Sequence, residues 1–311
     1  MTRLVSPSGV PASRLCFGTM QFGVADEAAS RAMYDAARAA GITFFDTAHS
    51  YTGGESERML GRFAARERDA AIVATKVAFE PGGGRRARVL ADFDESRRRL
   101  GLDVVDVLYL HRLDPLTPLD DTFEALAELH GRGLIWHVGI SNFPAWQTVK
   151  ADAIAQMFGL TVDVLQPMYS LVKRQAEVEI LPMAAAEGMA VAPYSPLGGG
   201  LLTGKYARGE AGRLTSDPRY RDRYAPTWMH ETAARLAAVA AEAGAHPATL
   251  AVAWAMEHPA VTAPIVSARS AEQLAPSLAA MDFRMNPCLR ARLSALSPAP
   301  PPATDRLEEA G

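Results

Sequence analysis

The feature that most constrains this chain is a short β-rich run that recurs roughly every 30 residues up to the seventh run, with helical stretches between. The eight runs are Arg14–Thr19, Ile42–Asp46, Ala71–Lys76, Val104–Leu110, Trp136–Ile140, Val162–Gln166, Met189–Tyr194 and Val261–Val266. Most are nearly continuous in apolar residues, which is typical of parallel strands covered on both faces. Eight strand–helix units in 311 residues predict an α/β fold, a (β/α)₈ TIM barrel.

The segments between these runs carry helix signals. Asp26 is placed to cap the start of a helix, and Gly41 is placed to follow its end. The apolar stripe of this helix is Met33, Ala36, Ala37 and Ala40. Further helices are predicted over Arg86–Leu100, Asp121–Arg132, Gln175–Glu187 and Pro247–Glu257.

A doubly wound open sheet is the main alternative to a barrel. That fold predicts a G-x-G-x-x-G fingerprint directly after the first strand. The corresponding stretch of this chain, Gly18–Gly23, does not supply it. We therefore prefer the barrel, with residues 1–297 as its domain and the proline-rich segment 298–311 as a poorly ordered tail.

Composition excludes several classes of function. The net charge of −3 offers no overall attraction to nucleic acid or to an anionic membrane. The start of the chain lacks the apolar core of a signal peptide, and no run is apolar enough for a membrane span. Two cysteines, Cys16 and Cys288, leave a disulfide open but fit a reducing compartment, so a cytoplasmic location is expected. No cluster has the spacing of metal ligands.

Four polar residues follow successive predicted strands at their carboxyl ends. Asp46 ends the second run, with Tyr51 five residues later, Lys76 ends the third, and His111 follows the fourth. In a (β/α)₈ barrel these ends meet at one mouth, where active sites lie. Each residue alone has an ordinary structural explanation, but their common placement predicts a site.

The residue types at this mouth indicate acid–base chemistry. A phenol is a poor proton donor at neutral pH, and an adjacent ammonium is expected to lower its pKa. Tyr51 would then be the acid–base group, tuned by Lys76, while Asp46 keeps the lysine charged. His111 could orient or polarise a carbonyl oxygen. Because none of these side chains is a reductant, a hydride must come from a cofactor.

The sequence resembles the aldo-keto reductases over nearly its whole length. The matching stretches are Phe17–Met20, Phe45–Tyr51, Ala74–Val77, Leu108–Arg112, Val138–Phe143, Leu165–Ser170, Tyr194–Leu197 and Leu202–Tyr206. The resemblance implies that Asp46, Tyr51, Lys76 and His111 are the catalytic tetrad. It also implies an oxidoreductase that reduces a small carbonyl substrate with NADPH, Tyr51 donating the proton.

The same resemblance assigns the cofactor site. Ser141, Asn142 and Gln166 would hold the nicotinamide carboxamide, and Tyr194 would stack on the ring. The full expected set is Gly18, Thr19, Met20, Asp46, Ser141, Asn142, Gln166, Tyr194, Ser195, Pro196, Leu197, Gly198, Lys205, Ile265, Ser267, Arg269 and Gln273. Phe22, Phe79, His111 and Trp228 are expected to line the substrate pocket.

The adenine end is expected after the eighth strand. Arg269 can fork onto a 2′-phosphate, which favours NADPH over NADH. The family pattern there is Gly-x-Arg-x-x-x-Gln-x-x-x-Asn. In this chain Ser267 replaces the glycine and Ser277 replaces the asparagine, which leaves the strength of that preference open.

The long gap before the eighth strand, 198–228, has the length and composition of a functional loop. Part of it, Gly199–Tyr206, half-resembles a phosphate-binding P-loop, but Tyr206 cannot replace the Mg²⁺-binding Ser or Thr. We interpret it as a loop facing the pyrophosphate, with Lys205 as a contact. Its alternating arginines and tyrosines over 219–224 favour a lid over the dinucleotide rather than a nucleic-acid site.

Two rival functions are compatible with the sequence. A barrel lysine such as Lys76 could form a Schiff base in an aldolase, although Ser141, Asn142, Gln166 and Arg269 would then be unexplained. Some relatives on this fold are cofactor-bound regulatory subunits of membrane channels, and the tetrad alone does not separate them from enzymes. The physiological substrate and the oligomeric state are not predicted.

Overall fold

Within the described part of the chain, eight parallel strands form one curled sheet, which confirms the predicted (β/α)₈ barrel. The computed structural model describes residues 4–24, 26–304, 306 and 308. The strands, β1 to β8 in chain order, are Cys16–Gly18, Phe44–Asp46, Ile72–Val77, Val105–Leu110, Ile135–Ser141, Val162–Gln166, Ala190–Val191 and Ile265–Val266. Strands β1 to β7 pair in chain order, and β8 pairs with β1. A parallel bridge between Tyr194 and Ile265 closes the barrel.

Helices alternate with the strands. The α-helices of the described residues, α1 to α12, are Glu27–Ala39, Glu55–Ala64, Arg86–Leu100, Leu119–Gly131, Ala145–Met157, Ile180–Ala186, Arg213–Ser216, Pro218–Arg223, Thr227–Glu242, Pro247–Met256, Ala271–Leu278 and Pro287–Ser294. Short 3₁₀ turns occupy Tyr51–Gly54, Ala65–Ala70, Gln175–Glu177, Gly198–Thr203, Lys205–Arg208 and Ala279–Met281. In this part of the chain, no single helix is long and apolar enough to cross a membrane; α9 and α10 meet that criterion only jointly, across a bend of 100°.

The first helix forms for the reasons that its sequence predicts. Asp26 accepts a hydrogen bond from the Ala29 amide at 2.7 Å and so caps α1. Gly41 has a φ of 83° just beyond the helix, a conformation that glycine adopts without strain. Met33 and Ala37 of the predicted stripe are fully buried, whereas Ala36 and Ala40 are half-buried at its edge.

Prolines shorten two strands relative to the prediction. Pro193 and Pro264 lie inside the predicted seventh and eighth runs and lack the N–H group that a ladder needs. Regular pairing is therefore confined to two residues in each of β7 and β8. A hydrogen bond from the Ile265 amide to the Pro193 carbonyl, 2.8 Å long, joins the two chains beyond that point. The predicted helix 175–187 is likewise split before Ile180–Ala186, which carries Pro182 in its first turn.

Two apolar layers hold the barrel together. Inside the strands, a cluster that includes Cys16, Phe44, Val107 and Tyr109 fills the barrel. Leu4, from a segment before β1 that the sequence pattern did not assign, joins this cluster. The larger outer layer lies between the helices and the strands. Because both faces of each strand are covered, the strands read as continuous apolar runs.

The remaining predictions about the ends of the chain are tested only in part. Cys16 is free and buried in the barrel, and Cys288 is free and exposed, so the open disulfide does not form. Residues 298–304 have neither helix nor strand. Residues 1–3, 305, 307 and 309–311 lie outside the described residues, and the poor order of the tail stays a prediction.

Candidate active site

Three of the predicted polar groups contact one another at the carboxyl ends of β2 and β3. The ammonium of Lys76 donates to Asp46 Oδ2 at 2.6 Å and to the Tyr51 hydroxyl at 3.3 Å. It also donates to the Thr47 carbonyl at 2.7 Å. These acceptors use all three N–H groups of the ammonium. The structure therefore brings the phenol, the ammonium and the carboxylate together as expected.

The position of Lys76 favours its charged form. Its side chain is fully buried, and burial alone would lower the pKa. The Asp46 carboxylate and the Tyr51 hydroxyl outweigh this effect and raise the pKa above its ordinary value. Lys76 is thus a fixed positive charge against the phenol.

Tyr51 departs from the expected lowering of its pKa. Burial raises the pKa above its ordinary value, and the nearby Lys76 ammonium only partly counteracts this. The ring lies below that ammonium, with Nζ 4.8 Å from the ring centroid. Thr52, which follows, has a φ of 47°, a strained value that turns the chain directly after the phenol. Tyr51 is therefore held as a neutral phenol that can donate a proton.

His111 forms the next part of the mouth. Its ring stands edge-on to Tyr51, with centroids 5.9 Å apart, and 4.8 Å from the ring of Phe79. Burial and the nearby charges of Lys76 and Arg112 lower its pKa to about 3. Among the described residues its buried Nδ1 has no hydrogen-bond partner. The imidazole is therefore neutral.

A hydrogen-bonded chain links the ends of β5, β6 and β7 to this group. Gln166 donates to Asp46 Oδ1 at 2.9 Å, and Ser141 Oγ donates to the Gln166 carbonyl at 2.9 Å. Asn142 Nδ2 donates to the His111 carbonyl at 3.0 Å, and the Tyr194 hydroxyl donates to Asn142 Oδ1 at 2.7 Å.

Both loops that carry this chain contain strained backbone. Asn142 has a φ of 63° and Ser195, next to Tyr194, a φ of 61°. Such values are rare outside glycine and are often found at functional sites.

A cluster of cations gathers where the sequence predicts a phosphate-facing loop. Burial lowers the pKa of Lys205, and the nearby charges of Arg269 and Arg213 contribute to that shift. Within the described residues, none of the three forms an ion pair with a carboxylate. The end of the Lys205 side chain lies close to Gly200 and Gly212, since a Cβ at these positions would lie 2.8 Å from Cε and 2.5 Å from Nζ respectively. The cluster is thus suited to an anionic group.

Arg213 was not predicted as part of the site. The available signal was a basic residue directly after Gly212, in the loop 198–228. The sequence pattern of this loop had pointed instead to the arginines over 219–223.

Gly18 and Thr19 occupy structural contacts. Thr19 donates its amide and hydroxyl to the Asp46 carbonyl, at 2.8 and 3.0 Å. A Cβ at Gly18 would lie 2.7 Å from Ile265 Cγ2. These contacts support Asp46 from behind, and a role of either residue in binding cofactor stays a prediction. The same holds for Met20, Ser195, Pro196, Leu197, Gly198, Ile265, Ser267, Gln273 and Trp228.

Phe22 is a correction to the predicted pocket wall. Its side chain has 0% exposure, and its ring packs against Phe17 at 5.7 Å and Phe63 at 5.6 Å. That packing belongs to the outer core between α1, α2 and the sheet. Phe22 therefore has a structural position in place of a pocket wall, whereas Phe79 does border the mouth.

A buried carboxylate that the sequence did not single out fixes the loop carrying Phe79. Asp114 accepts hydrogen bonds from the amides of Gly82 and Gly84, at 3.1 and 3.0 Å, and from Thr117 Oγ1 at 2.6 Å. Burial acts to raise its pKa, but these hydrogen bonds hold the pKa below its ordinary value. The loop that carries Phe79, Gly82 and Gly84 is thus anchored.

Comparison with known proteins agrees with this geometry. Residues 14–296 match the model of the aldo/keto reductase family. The chain is 33% identical to the uncharacterized oxidoreductase YrpG of Bacillus subtilis, over 94% of each protein. It is 31% identical to a probable voltage-gated potassium channel subunit beta of Oryza sativa, over 88% of this chain and 89% of that protein. It is 32% identical to the L-glyceraldehyde 3-phosphate reductase of Escherichia coli O157:H7, over 78% and 75%. The chain is therefore an oxidoreductase of the aldo/keto reductase family.

Proposed function

We propose that this protein reduces an aldehyde or ketone to the alcohol by hydride transfer from NADPH, with Tyr51 as the proton donor. The observation that carries the proposal is the contact of Lys76 with both Asp46 and Tyr51 at the barrel mouth. This arrangement has a proton donor and a fixed cation but no reducing group, so it requires a bound reductant.

The residues present fit such a cofactor. Ser267 Oγ is buried and, among the described residues, has no hydrogen-bond partner. Lys205, Arg213 and Arg269 outnumber the one nearby carboxylate, Glu210, and within the described residues they form no ion pair with it. Cations and unpaired donors of this kind suit phosphate groups. Asn142 and Gln166 would hold the carboxamide, and Tyr194 would stack on the nicotinamide ring.

Bound NADPH would supply the hydride that reaches the carbonyl carbon. Tyr51 gives its hydroxyl proton to the carbonyl oxygen as that oxygen gains negative charge. The Lys76 ammonium then stabilises the resulting phenolate, and Asp46 keeps that ammonium charged and in place. A neutral His111 can donate an N–H to the same oxygen without competing for the proton.

A preference for NADPH is part of the proposal. Arg269 is exposed beside Lys205, where a guanidinium can fork onto a 2′-phosphate. Ser277, at the position of the family asparagine, is buried, and its Oγ has no partner among the described residues.

A cytoplasmic location is also part of the proposal. Both cysteines are free, which supports a reducing compartment such as the cytoplasm.

The test is a panel of aldehydes and ketones, with oxidation followed at the NADPH absorbance band and NADH run in parallel. Tyr51→Phe keeps the ring but removes the donated proton, so turnover should fall by roughly 10²–10⁴-fold while NADPH binding persists. Full activity in this variant would reject Tyr51 as the donor. Failure to oxidise NADPH with any substrate would reject the proposal as a whole.

A second candidate is a cofactor-binding regulatory subunit with little turnover. It is favoured by relatives that are named as potassium channel subunits beta. Tight NADPH binding with negligible reduction of the whole panel would support it. A Schiff-base aldolase is disfavoured because it needs a neutral Lys76 amine, whereas three acceptors hold the ammonium and raise its pKa.

A further inference from the structure

Two half-buried cations at the barrel mouth lie next to the phosphate-facing cluster of Lys205, Arg213 and Arg269. Lys173 lies in the hairpin after β6, and Arg223 is the last residue of α8. Within the described residues neither forms an ion pair with a carboxylate.

The rest of α8 behaves differently. Arg219 and Arg221 face solvent, with side-chain exposures of 81% and 64%. They pair with Asp217 at 3.0 Å and with Asp222 at 3.9 Å. On α8, Arg219 and Arg221 therefore point outward and pair with carboxylates. Arg223 is half-buried and, within the described residues, forms no such pair.

A pair of tyrosines holds the two cations in place. The rings of Tyr220 and Tyr224 stack, with centroids 6.5 Å apart. The Arg223 guanidinium lies 5.3 Å from the centroid of Tyr220, and Lys173 Nζ lies 5.6 Å from that of Tyr224. Contacts of a cation with a ring face are favourable and restrict the long side chains. The cations flank the aromatic pair and are positioned by it.

Contacts of Tyr220 and Tyr224 place Lys173 and Arg223 beside the reaction centre. The Tyr224 hydroxyl lies 3.9 Å from Met168 Sδ, and Met168 pairs with Tyr194 through a backbone bridge. Burial raises the pKa of Tyr194 to about 12, and the charge of Arg223 is the main influence against that rise. The pKa of Tyr51, which burial raises, is raised further by the nearby Tyr220.

The two cationic groups contain different lysines but share a contact with Tyr220. Burial lowers the pKa of Lys173, with Arg223 as the neighbouring charge. The neighbouring charges of Lys205 are Arg269, Glu210 and Arg213. The Arg213 guanidinium lies 5.2 Å from the centroid of Tyr220, so both groups contact that ring.

Holding two like charges together in a half-buried setting costs free energy unless an anion offsets it. We propose that Lys173 and Arg223 bind the acidic group of the carbonyl substrate, so that carbonyl compounds carrying a carboxylate or a phosphate are the preferred substrates. This inference rests on the proposed reductase function and names its substrate class. An ammonium and a guanidinium both suit either acidic group, because each binds oxyanions through charge-assisted hydrogen bonds.

The test compares matched substrates that differ in charge. Succinic semialdehyde is paired with butanal, and glyceraldehyde 3-phosphate with glyceraldehyde, all with saturating NADPH. Arg223→Gln and Lys173→Gln should each lower kcat/KM for the acidic member by about tenfold, the loss expected for one hydrogen bond to a charged group. The neutral member should change by less than about twofold by the same reasoning. Arg223→Lys should restore part of the acidic activity.

Arg219→Gln is the matched control, because Arg219 is on the same helix but faces solvent. The two acidic arms show whether carboxylate or phosphate is preferred. Equal losses for acidic and neutral substrates would overturn the proposal, and so would a rise confined to the KM for NADPH, which would assign the cations to the cofactor. If no carbonyl compound is reduced by the unaltered protein, the proposed function itself fails. Reduction of neutral compounds without preference for acids refutes only the substrate class.

Discussion

The side-chain amide of Gln166 donates a hydrogen bond to Asp46 Oδ1 at 2.9 Å, although 120 residues separate them in the sequence. Asp46 uses its other oxygen for Lys76. A residue expected to hold the nicotinamide is thus connected directly to the ion pair beside Tyr51. Loss of this amide would free one oxygen of a buried carboxylate and loosen the position of Lys76.

Gln166→Leu should therefore lower kcat for aldehyde reduction by about tenfold, the cost of one hydrogen bond to a charged group. Steady-state kinetics at saturating NADPH measure this effect. Gln156→Leu is the control, because Gln156 also donates to an aspartate, Asp152 at 2.7 Å, but on α5 outside the site. Equal kcat in Gln166→Leu and the unaltered protein would contradict the connection.

The adenine end is tested by charge removal at Arg269. Arg269→Ser should raise the KM for NADPH by about tenfold or more, because a guanidinium fork to a phosphate is lost. The KM for NADH, which lacks the 2′-phosphate, should stay nearly constant. An equal change for both cofactors would show that Arg269 does not recognise that phosphate.

The low pKa of His111 predicts a pH-dependent stability. The ordinary value is 6.5 and the folded value is about 3, so between them the unfolded chain binds more protons. Stability should therefore fall as the pH drops below the ordinary value. The contribution amounts to about 2 kcal/mol or less between pH 7 and pH 5, after allowing for solvent screening.

Urea unfolding at pH 7 and at pH 5 measures this change in the free energy of unfolding. His111→Gln is the reference, because it lacks the titrating imidazole. The unaltered protein should lose more free energy of unfolding on acidification than the variant does. Parallel losses in the two proteins would mean that His111 titrates normally in the folded state.

The close crossing of α2 and α3 depends on Gly61. A Cβ at this position would lie 2.0 Å from the Leu100 carbonyl oxygen, which is backbone and cannot move aside. Gly61→Ala should lower the free energy of unfolding by about 1–3 kcal/mol or more, as overpacking does. Gly131→Ala in α4 is the control, since a Cβ there meets nothing within 4 Å. Thermal or urea unfolding of both variants decides the point, and equal stability would contradict it.

Local patterns predicted much of the fold. The bounds of β6, Val162–Gln166, and of α3, Arg86–Leu100, coincide with the prediction because apolar periodicity and glycine boundaries agree there. The bounds of β7 and β8 were predicted too long, because the apolar runs continue past Pro193 and Pro264, which lack the N–H group that a ladder needs.

The same distinction applies to the site. Asp46, Lys76 and His111 were predictable because strand ends of a barrel meet at one mouth. Asp114 was not, because the loop that it anchors, through Gly82 and Gly84, lies 32 and 30 residues away in the sequence. Phe22 was misplaced because a position near a strand end does not tell whether a side chain points to the mouth or to the outer core.

The short strands β7 and β8 give the barrel a narrow seam, closed by the bridge between Tyr194 and Ile265. Few ladder hydrogen bonds fasten this seam, so its amides should exchange with deuterium sooner than those of β3 to β5. A dinucleotide held by Tyr194 on one side and Arg269 on the other would bridge this seam. Binding of the dinucleotide would then slow amide exchange most at β7 and β8. Cofactor binding would therefore also stabilise the closure of the barrel.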